Sequence, residues 1–158
     1  MGTAITSPAV AYDANPSYLS YDVVYFGSAD NTLYALHSCG AFRWSYATGG
    51  DIRSSPALCY DELGGVGYDS LYFGSNDNYL YALNSVSGDF RWSYATGGDV
   101  SSSPAIGIDR GAPTYDEMTL YAGSVDVQVG VNVGVAVGCA VPVTVGVAVG
   151  VGSPPYIA

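Results

Sequence analysis

A Ser-Pro-Ala tripeptide occurs three times along this chain, with its prolines at Pro8, Pro56 and Pro104. The prolines are 48 residues apart in both cases, and Trp44 and Trp92 are separated by the same interval. A constant period of this length is typical of repeat proteins, in which each unit is one supersecondary structure packed against its neighbours. The chain therefore consists of two full repeats and the beginning of a third.

Each full repeat contains four short segments that are typical of β-strands. They are rich in Tyr, Val, Leu and Phe, are bounded by Gly, Ser, Asn and Asp, and lack the apolar period of a helix. The predicted strands are residues 8–12, 23–27, 33–36 and 42–47 of the first repeat and residues 56–60, 71–74, 80–83 and 90–95 of the second. Asp30-Asn31 and Asp77-Asn78 are predicted to close two-residue hairpins, because Asn and Asp tolerate positive φ. Four antiparallel strands per repeat of this length indicate a blade of a β-propeller.

The motif common to both repeats supports a resemblance to a known family. It reads Tyr-Phe-Gly-Ser-x-Asp-Asn-x-Leu-Tyr-Ala-Leu, then Gly-x-x-x-Trp, Thr-Gly-Gly-Asp and Ser-Ser-Pro-Ala, within roughly residues 5–124. This pattern resembles the PQQ-like (pyrroloquinoline-quinone-type) β-propeller repeat of quinoprotein dehydrogenases and of the BamB-type outer-membrane-assembly lipoprotein. The resemblance implies that the repeat tryptophans dock between neighbouring blades. The residues assigned structural repeat positions are Trp44, Trp92, Gly27, Gly74, Asp30, Asp77, Pro56 and Pro104.

The predicted fold is all-β, an incomplete β-propeller arc of about two and a half four-stranded antiparallel blades. The repeats occupy residues 1–124, with blades at about residues 5–50 and 51–98 and a partial third at 99–124, and a Val/Gly-rich tail occupies residues 125–158. Repeat units need neighbours to bury their apolar sides. Since an arc leaves two blade faces without a neighbour, we expect a protein partner or self-association through the blade edges.

The tail has valine at every odd position from 125 to 151 except Cys139. This alternation is typical of a strand with one apolar face, which could supply the outer strands of the third blade, although a low-complexity segment could also be disordered. No charged residue follows Asp126, and glycines recur at the spacing of packed transmembrane helices, so association of residues 127–151 with a membrane stays open. Valine and glycine are poor helix formers, which favours strand or disorder.

Composition excludes some classes of partner. The chain has 14 acidic residues against four arginines and no lysine, for a net charge of −10. Such a surface repels phosphate backbones, so we expect no nucleic-acid binding. Cys39, Cys59 and Cys139 are too scattered for a metal cluster, and we interpret Cys39 and Cys59 as packing residues. No signal peptide is visible, whereas the family resemblance favours an extracytoplasmic or organelle-lumen location.

No residue is predicted to be catalytic, to bind a cofactor or to ligate a metal. His37 is the only histidine and is expected in a surface turn, and the serines at 54–55 and 101–103 lack a paired base, so they are predicted to be hydrogen-bonding turn residues. Asp30, Asp77 and Asp126 each come two residues after the serine of a Gly-Ser pair. A role in hairpin geometry explains this recurrence better than calcium binding does, because calcium needs six or more converging oxygen ligands. PQQ and calcium enter only through the family resemblance.

These observations favour a non-catalytic structural or protein-interaction module, an accessory or scaffold subunit of a larger assembly. The alternative is a fragment of a quinoprotein-type dehydrogenase whose ring is completed by other chains.

Overall fold

A computed structural model of the chain describes residues 6–11, 22–59, 70–109, 117–124, 129–136 and 144–149. Within these ranges the chain forms twelve β-strands and no helix. The described residues accordingly include no helix with the length and apolar character needed to cross a membrane. The all-β class predicted from the sequence is confirmed.

The strands form three antiparallel sheets of four strands, each in the order of the sequence. Sheet 1 consists of β1 (Ala9–Ala11), β2 (Val23–Gly27), β3 (Thr32–His37) and β4 (Phe42–Ala47). Sheet 2 consists of β5 (Ala57–Cys59), β6 (Ser70–Ser75), β7 (Tyr79–Asn84) and β8 (Phe90–Ala95). All eight strands overlap the segments predicted from composition and turn residues.

Sheet 3 takes two of its four strands from the valine-rich tail. It consists of β9 (Ala105–Asp109), β10 (Glu117–Ala122), β11 (Val129–Ala136) and β12 (Thr144–Val149). The sequence predicted a partial third blade at 99–124, with the tail as a possible source of its outer strands; β11 pairs with β10 and β12 pairs with β11, so that four strands are present. Of the structures left open for the tail, residues 129–136 and 144–149 form strands. Asp126 and Cys139 lie outside the described residues.

The hairpins that join the second and third strands of sheets 1 and 2 have three-residue loops instead of the predicted two: residues 76–78 in sheet 2 and residues 29–31 in sheet 1, where the Ser28 backbone N–H donates to the Thr32 carbonyl oxygen at 3.1 Å. The φ angle is positive at Asn31 (67°) and Asn78 (73°), the last loop residue in each case. A turn followed by one left-handed residue is the usual form of a three-residue hairpin loop, and Asn adopts that conformation readily. The Asp30 carboxylate accepts a hydrogen bond from the Thr32 backbone N–H at 3.1 Å, and Asp77 does the same for Tyr79 at 3.2 Å.

Apolar side chains fill the two spaces between successive sheets. The first core joins sheets 1 and 2 through Val23, Tyr25, Leu33, Ala35, Trp44, Ile52, Leu71, Phe73 and Leu83. The second joins sheets 2 and 3 through Tyr72, Leu80, Ala82, Val100, Leu120 and Ala122. Sheet 2 is therefore covered on both faces, which is why every residue of β6 is buried.

The innermost strands of neighbouring sheets also lie side by side. The Ser55 backbone N–H, just before β5, donates to the Ser103 hydroxyl, just before β9, at 3.0 Å. Four-stranded antiparallel sheets that pack face to face with their first strands adjacent are the blades of a β-propeller. The chain is an arc of three such blades.

Candidate protein-interaction faces

Sheet 1 docks on sheet 2 through two aromatic side chains that share one backbone carbonyl. The Tyr25 hydroxyl and the Trp44 indole N–H both donate to the Ser85 carbonyl oxygen, at 3.0 and 3.1 Å, in the turn between β7 and β8. The two rings lie 5.7 Å apart at 43°, and both are buried. Buried Tyr and Trp need partners for their polar atoms, and Ser85 satisfies both.

Gly88 lets the Trp44 ring lie flat against this turn. Its φ is +77°, and a Cβ built there would lie 2.7 Å from Cδ2 of Trp44. Any side chain at this position would push the indole away from the turn. Trp92, the equivalent of Trp44 in sheet 2, is only half-buried; it packs on the second core, and its ring lies 5.8 Å from Tyr72.

The two central glycines Gly27 and Gly74 permit close approach of the segment that enters the next sheet. A Cβ on Gly27 would lie 2.7 Å from the Ile52 carbonyl oxygen, and one on Gly74 would lie 2.7 Å from the Val100 Cβ. Ile52 and Val100 are both fully buried members of the cores between sheets. These glycines therefore set the spacing between successive blades.

In all three sheets, a hydroxyl side chain two residues before the repeat proline accepts a hydrogen bond from the glycine at the repeat position of Gly27 and Gly74. Thr6, Ser54 and Ser102 accept hydrogen bonds from the backbone N–H groups of Gly27, Gly74 and Gly123, at 2.9, 2.9 and 2.7 Å. The prediction that these serines are turn residues agrees with their contacts. Pro56 and Pro104 are buried, while Pro8 is exposed at the start of sheet 1.

Asp77 connects sheet 2 to the linker that leaves sheet 1. One carboxylate oxygen accepts from the Gly49 backbone N–H and from the Tyr81 hydroxyl, both at 2.7 Å. Asp30 makes the equivalent bond with Tyr34 at 2.9 Å, but among the described residues it accepts none from another sheet. The same aspartate is thus an inter-blade clamp in sheet 2 and a local turn residue in sheet 1.

The hydrogen bonds at Asp30 also change its acidity. Desolvation raises the pKa of Asp30, but hydrogen bonds from Tyr34, Ser28 and Thr32 outweigh it, and the net pKa lies below the usual value. Since the folded pKa is lowered, this group contributes stability above the unfolded pKa, and the contribution is lost as the pH falls through the folded pKa.

The outer face of sheet 1, here called the first end face, is made of Val24, Phe26, Tyr34 and Leu36. These residues occupy the repeat positions of Leu71, Phe73, Tyr81 and Leu83, by which sheet 2 packs on sheet 1. Leu71, Phe73 and Leu83 are fully buried, whereas Val24, Phe26 and Leu36 are only half-buried, because no described residue of another sheet covers them. Val10 and Phe42 extend this apolar surface and are 61% and 64% exposed.

The outer face of sheet 3, here called the last end face, shows the complementary effect. Tyr121 occupies the repeat position of Tyr25 and Tyr72. Those two tyrosines are each 2% exposed because the next sheet covers them, whereas Tyr121 is 47% exposed. The two ends of the arc therefore expose the same kinds of residue that the interior buries.

The structure places the histidine and two of the three cysteines singled out in the sequence. His37 lies at the end of β3, where its backbone N–H donates to the Ala41 carbonyl oxygen at 2.8 Å. Cys59 is half-buried in β5 and packs against the second core, as predicted, but Cys39 is exposed in the turn after β3, so its assignment as a packing residue was wrong. Within the described ranges no group of three or more His, Cys, Asp and Glu could hold a metal ion.

The PQQ and calcium implied by the family resemblance do not fit the described side chains. Trp44 lies between two blades with its N–H bonded to Ser85, so its ring is not free to stack on a quinone. Asp77 accepts three hydrogen bonds within a turn and a linker. Trp44 and Asp77 are thus already bonded between or within blades.

Tyr81, which packs against the first core, and Tyr72, which belongs to the second, make the protein less stable at alkaline pH. Desolvation raises the pKa of Tyr72, and desolvation followed by the hydrogen bond to Asp77 raises the pKa of Tyr81 far above the usual value of about 10. A raised folded pKa means that this stability is complete below pH 10 and is lost as the pH rises beyond it. We expect the free energy of unfolding to fall steadily as the pH rises above about 10 in urea titrations followed by circular dichroism.

The matched variant for this prediction is Tyr81→Phe, which removes the hydroxyl but keeps the ring that stacks on Phe73. It should show a shallower loss of stability above pH 10, because one fewer raised tyrosine titrates. An unchanged slope would contradict the assignment of this effect to Tyr81.

No known protein-family model and no curated protein sequence matches this chain. Solved structures that are similar to it include the following two. The crystal structure of Saccharomyces cerevisiae Sqt1 has 13% sequence identity and a TM-score of 0.44, and the match covers 72% of this chain and 28% of that one. The structure of the Dos1 propeller has 14% identity and a TM-score of 0.43, with 84% of this chain and 38% of that one covered. The chain thus spans well under half the length of these structures, and its assignment to the PQQ-like repeat family stays a prediction.

Proposed function

We propose that this chain is a non-catalytic protein-interaction module that binds a protein partner through its end faces, as a scaffold or accessory subunit. The observation that carries this proposal is the difference in exposure between equivalent repeat positions. Tyr25 and Tyr72 are buried where Tyr121 is exposed, and Leu71 is buried where Val24 is not. Uncovered apolar and aromatic side chains at the ends of a repeat array are typical of a binding surface.

The net charge of −10 supports a protein partner over a nucleic acid. It also keeps the chain in solution while its apolar end faces are uncovered, because like charges oppose nonspecific association. The mechanism is the one by which the internal blades pack: burial of aliphatic and aromatic side chains, with tyrosine hydroxyls bonded to turn carbonyls.

The test is site-specific photo-crosslinking in the cells that make the protein. A photoreactive phenylalanine replaces Phe42, beside the first end face, or Phe90, its repeat equivalent, which stacks on Tyr46 where sheet 1 covers sheet 2. The two positions are similarly exposed, at 64% and 52%. We expect covalent protein adducts from position 42 and few from position 90. Equal or absent adducts at the two positions would contradict the proposed function.

A further inference from the structure

Resting on the proposed function, we propose that the partner is a second copy of this chain. The last end face of one copy packs on the first end face of the other, and two copies close a six-bladed ring. Sheet 1 packs on sheet 2, and sheet 2 packs on sheet 3, through equivalent faces. The proposed contact between copies packs sheet 3 of one copy on sheet 1 of the other in the same way.

The side chains at the two end faces correspond to the two sides of the internal interfaces. In the first core, Tyr25 of sheet 1 lies against the sheet 2 surface made by Leu71 and Phe73. Tyr121 holds the position of Tyr25 on the last end face, and Val24 and Phe26 hold the positions of Leu71 and Phe73 on the first. The chain thus carries both halves of an interface that it already forms internally.

The backbone acceptor for this contact is also duplicated. Ser38, in the turn after β3, holds the repeat position of Ser85, whose carbonyl accepts the Tyr25 hydroxyl. Ser85 is buried and Ser38 is exposed. Gly40 follows with φ +85° and open space around it, where Gly88 has φ +77° and is covered by Trp44. The turn of sheet 1 therefore has the shape of a docking turn and lacks only its aromatic neighbour from a preceding blade.

The number of blades selects a dimer. Closed propellers have about four to eight blades, so with three blades per chain two copies give an allowed ring and three copies do not. A head-to-tail contact between two different faces forms a closed ring when a whole number of copies completes a rotation of 360°. For two copies, each is related to the other by a twofold axis.

One feature of sheet 3 makes the contact between copies weaker than the internal ones. In sheet 1, Tyr25 lies opposite Ala35 on the next strand, and Ala35 lies opposite Trp44 on the strand after that. In sheet 3, Tyr121 holds the position of Tyr25; it lies opposite Asn132, which lies opposite Gly146. The tryptophan position is therefore a glycine in sheet 3, and no indole is available for the turn at Ser38. The net charge of −10 on each copy also opposes association at low salt. We therefore expect a reversible dimer that high salt strengthens.

The first experiment measures the mass of the purified chain by size-exclusion chromatography with light scattering. In about 1 M NaCl, where the Debye length is about 3 Å, the mass should rise with concentration towards twice 16.3 kDa. Val24→Asp and Tyr121→Asp each place an unpaired charge in the contact and should weaken dimerisation at least about a hundredfold. Val86→Asp, which adds the same charge at an exposed turn of sheet 2, should dimerise like the parent chain.

Mixing the two monomeric variants distinguishes head-to-tail contact from any other. Val24→Asp retains an intact last end face and Tyr121→Asp retains an intact first end face, so the mixture can form one of the two contacts of the ring without a substitution and should recover part of the dimer. Circular dichroism of each variant confirms that it is folded, and the substitutions lie at opposite ends, so one of them suffices if the other does not fold.

A monomer at every concentration, dimers that resist both end-face substitutions, or a mixture that stays monomeric would each overturn the proposal. A monomer that nevertheless forms adducts with a different protein from position 42 overturns only the second-copy proposal and leaves the proposed function standing. Adducts of the chain with itself from that position support both.

Discussion

Substitution of Gly74 by alanine should lower the free energy of unfolding by about 3 kcal/mol, the upper end of the usual cost of overpacking. The added methyl group would overlap the Val100 carbonyl oxygen and lie 2.7 Å from the Val100 Cβ. Backbone cannot move aside as a flexible side chain can, and Val100 is itself buried between sheets 2 and 3. The linker must shift outward, and the second core loses contacts with it.

Gly123 provides the matched control, because it holds the same repeat position in sheet 3. A Cβ there would approach only the Ser102 side chain, at 3.4 Å from its hydroxyl oxygen, so Gly123→Ala should change stability by less than about 0.5 kcal/mol. Urea titration of both variants measures the difference. Equal losses at the two positions would show that glycine is needed for the strand itself and not for the approach of the next linker.

The repeat and its turn residues were enough to predict the strands of sheets 1 and 2. Local signals determine them: alternating aromatic and aliphatic residues, closed by Asp-Asn and Gly-Gly pairs, leave few alternatives. The predicted loop length was wrong by one residue. In each Asp-Asn pair only the asparagine has a positive φ, while the aspartate before it accepts a backbone hydrogen bond. Asp-Asn is compatible with both loop types, and pairing of the flanking residues decides between them.

Sheet 3 could not be predicted with the same success, because β11 and β12 share no motif with their equivalents in sheets 1 and 2. Valine alternating with glycine or alanine indicates a strand, but it does not specify a partner or a register. Pairing of Val133 with Leu120 and of Asn132 with Tyr121 is a tertiary outcome.

The candidate binding surface was predicted only in outline. An arc with too few blades must leave two faces without neighbours, so a need for partners followed from the repeat count. Which side chains are exposed did not follow, because equivalent residues have the same local sequence. Tyr25, Tyr72 and Tyr121 each follow an aliphatic or β-branched residue in a strand, and only the presence of the next sheet separates the buried pair from the exposed one.

Truncation of Trp44 should cost at least as much as Gly74→Ala, and the expected loss of stability for Trp44→Ala is about 3–5 kcal/mol. The substitution empties the space between Tyr25 and Gly88 and removes the donor to the Ser85 carbonyl. The Tyr25 hydroxyl still satisfies that carbonyl, so the loss comes from packing more than from an unpaired acceptor. Trp44→Phe should therefore recover roughly half of the lost stability.

Trp92→Ala is the comparison that separates position from residue type, since both tryptophans lie in the same hexapeptide, Phe-Arg-Trp-Ser-Tyr-Ala. Trp92 is half-buried and packs at the margin of the second core, so its loss should be about half that of Trp44. Denaturation followed by far-UV circular dichroism avoids dependence on the tryptophan that is removed. If the two alanine variants lost equal stability, the contact with Ser85 and Gly88 would not be what holds sheet 1 to sheet 2, and the pairing proposed between two copies would lose its template.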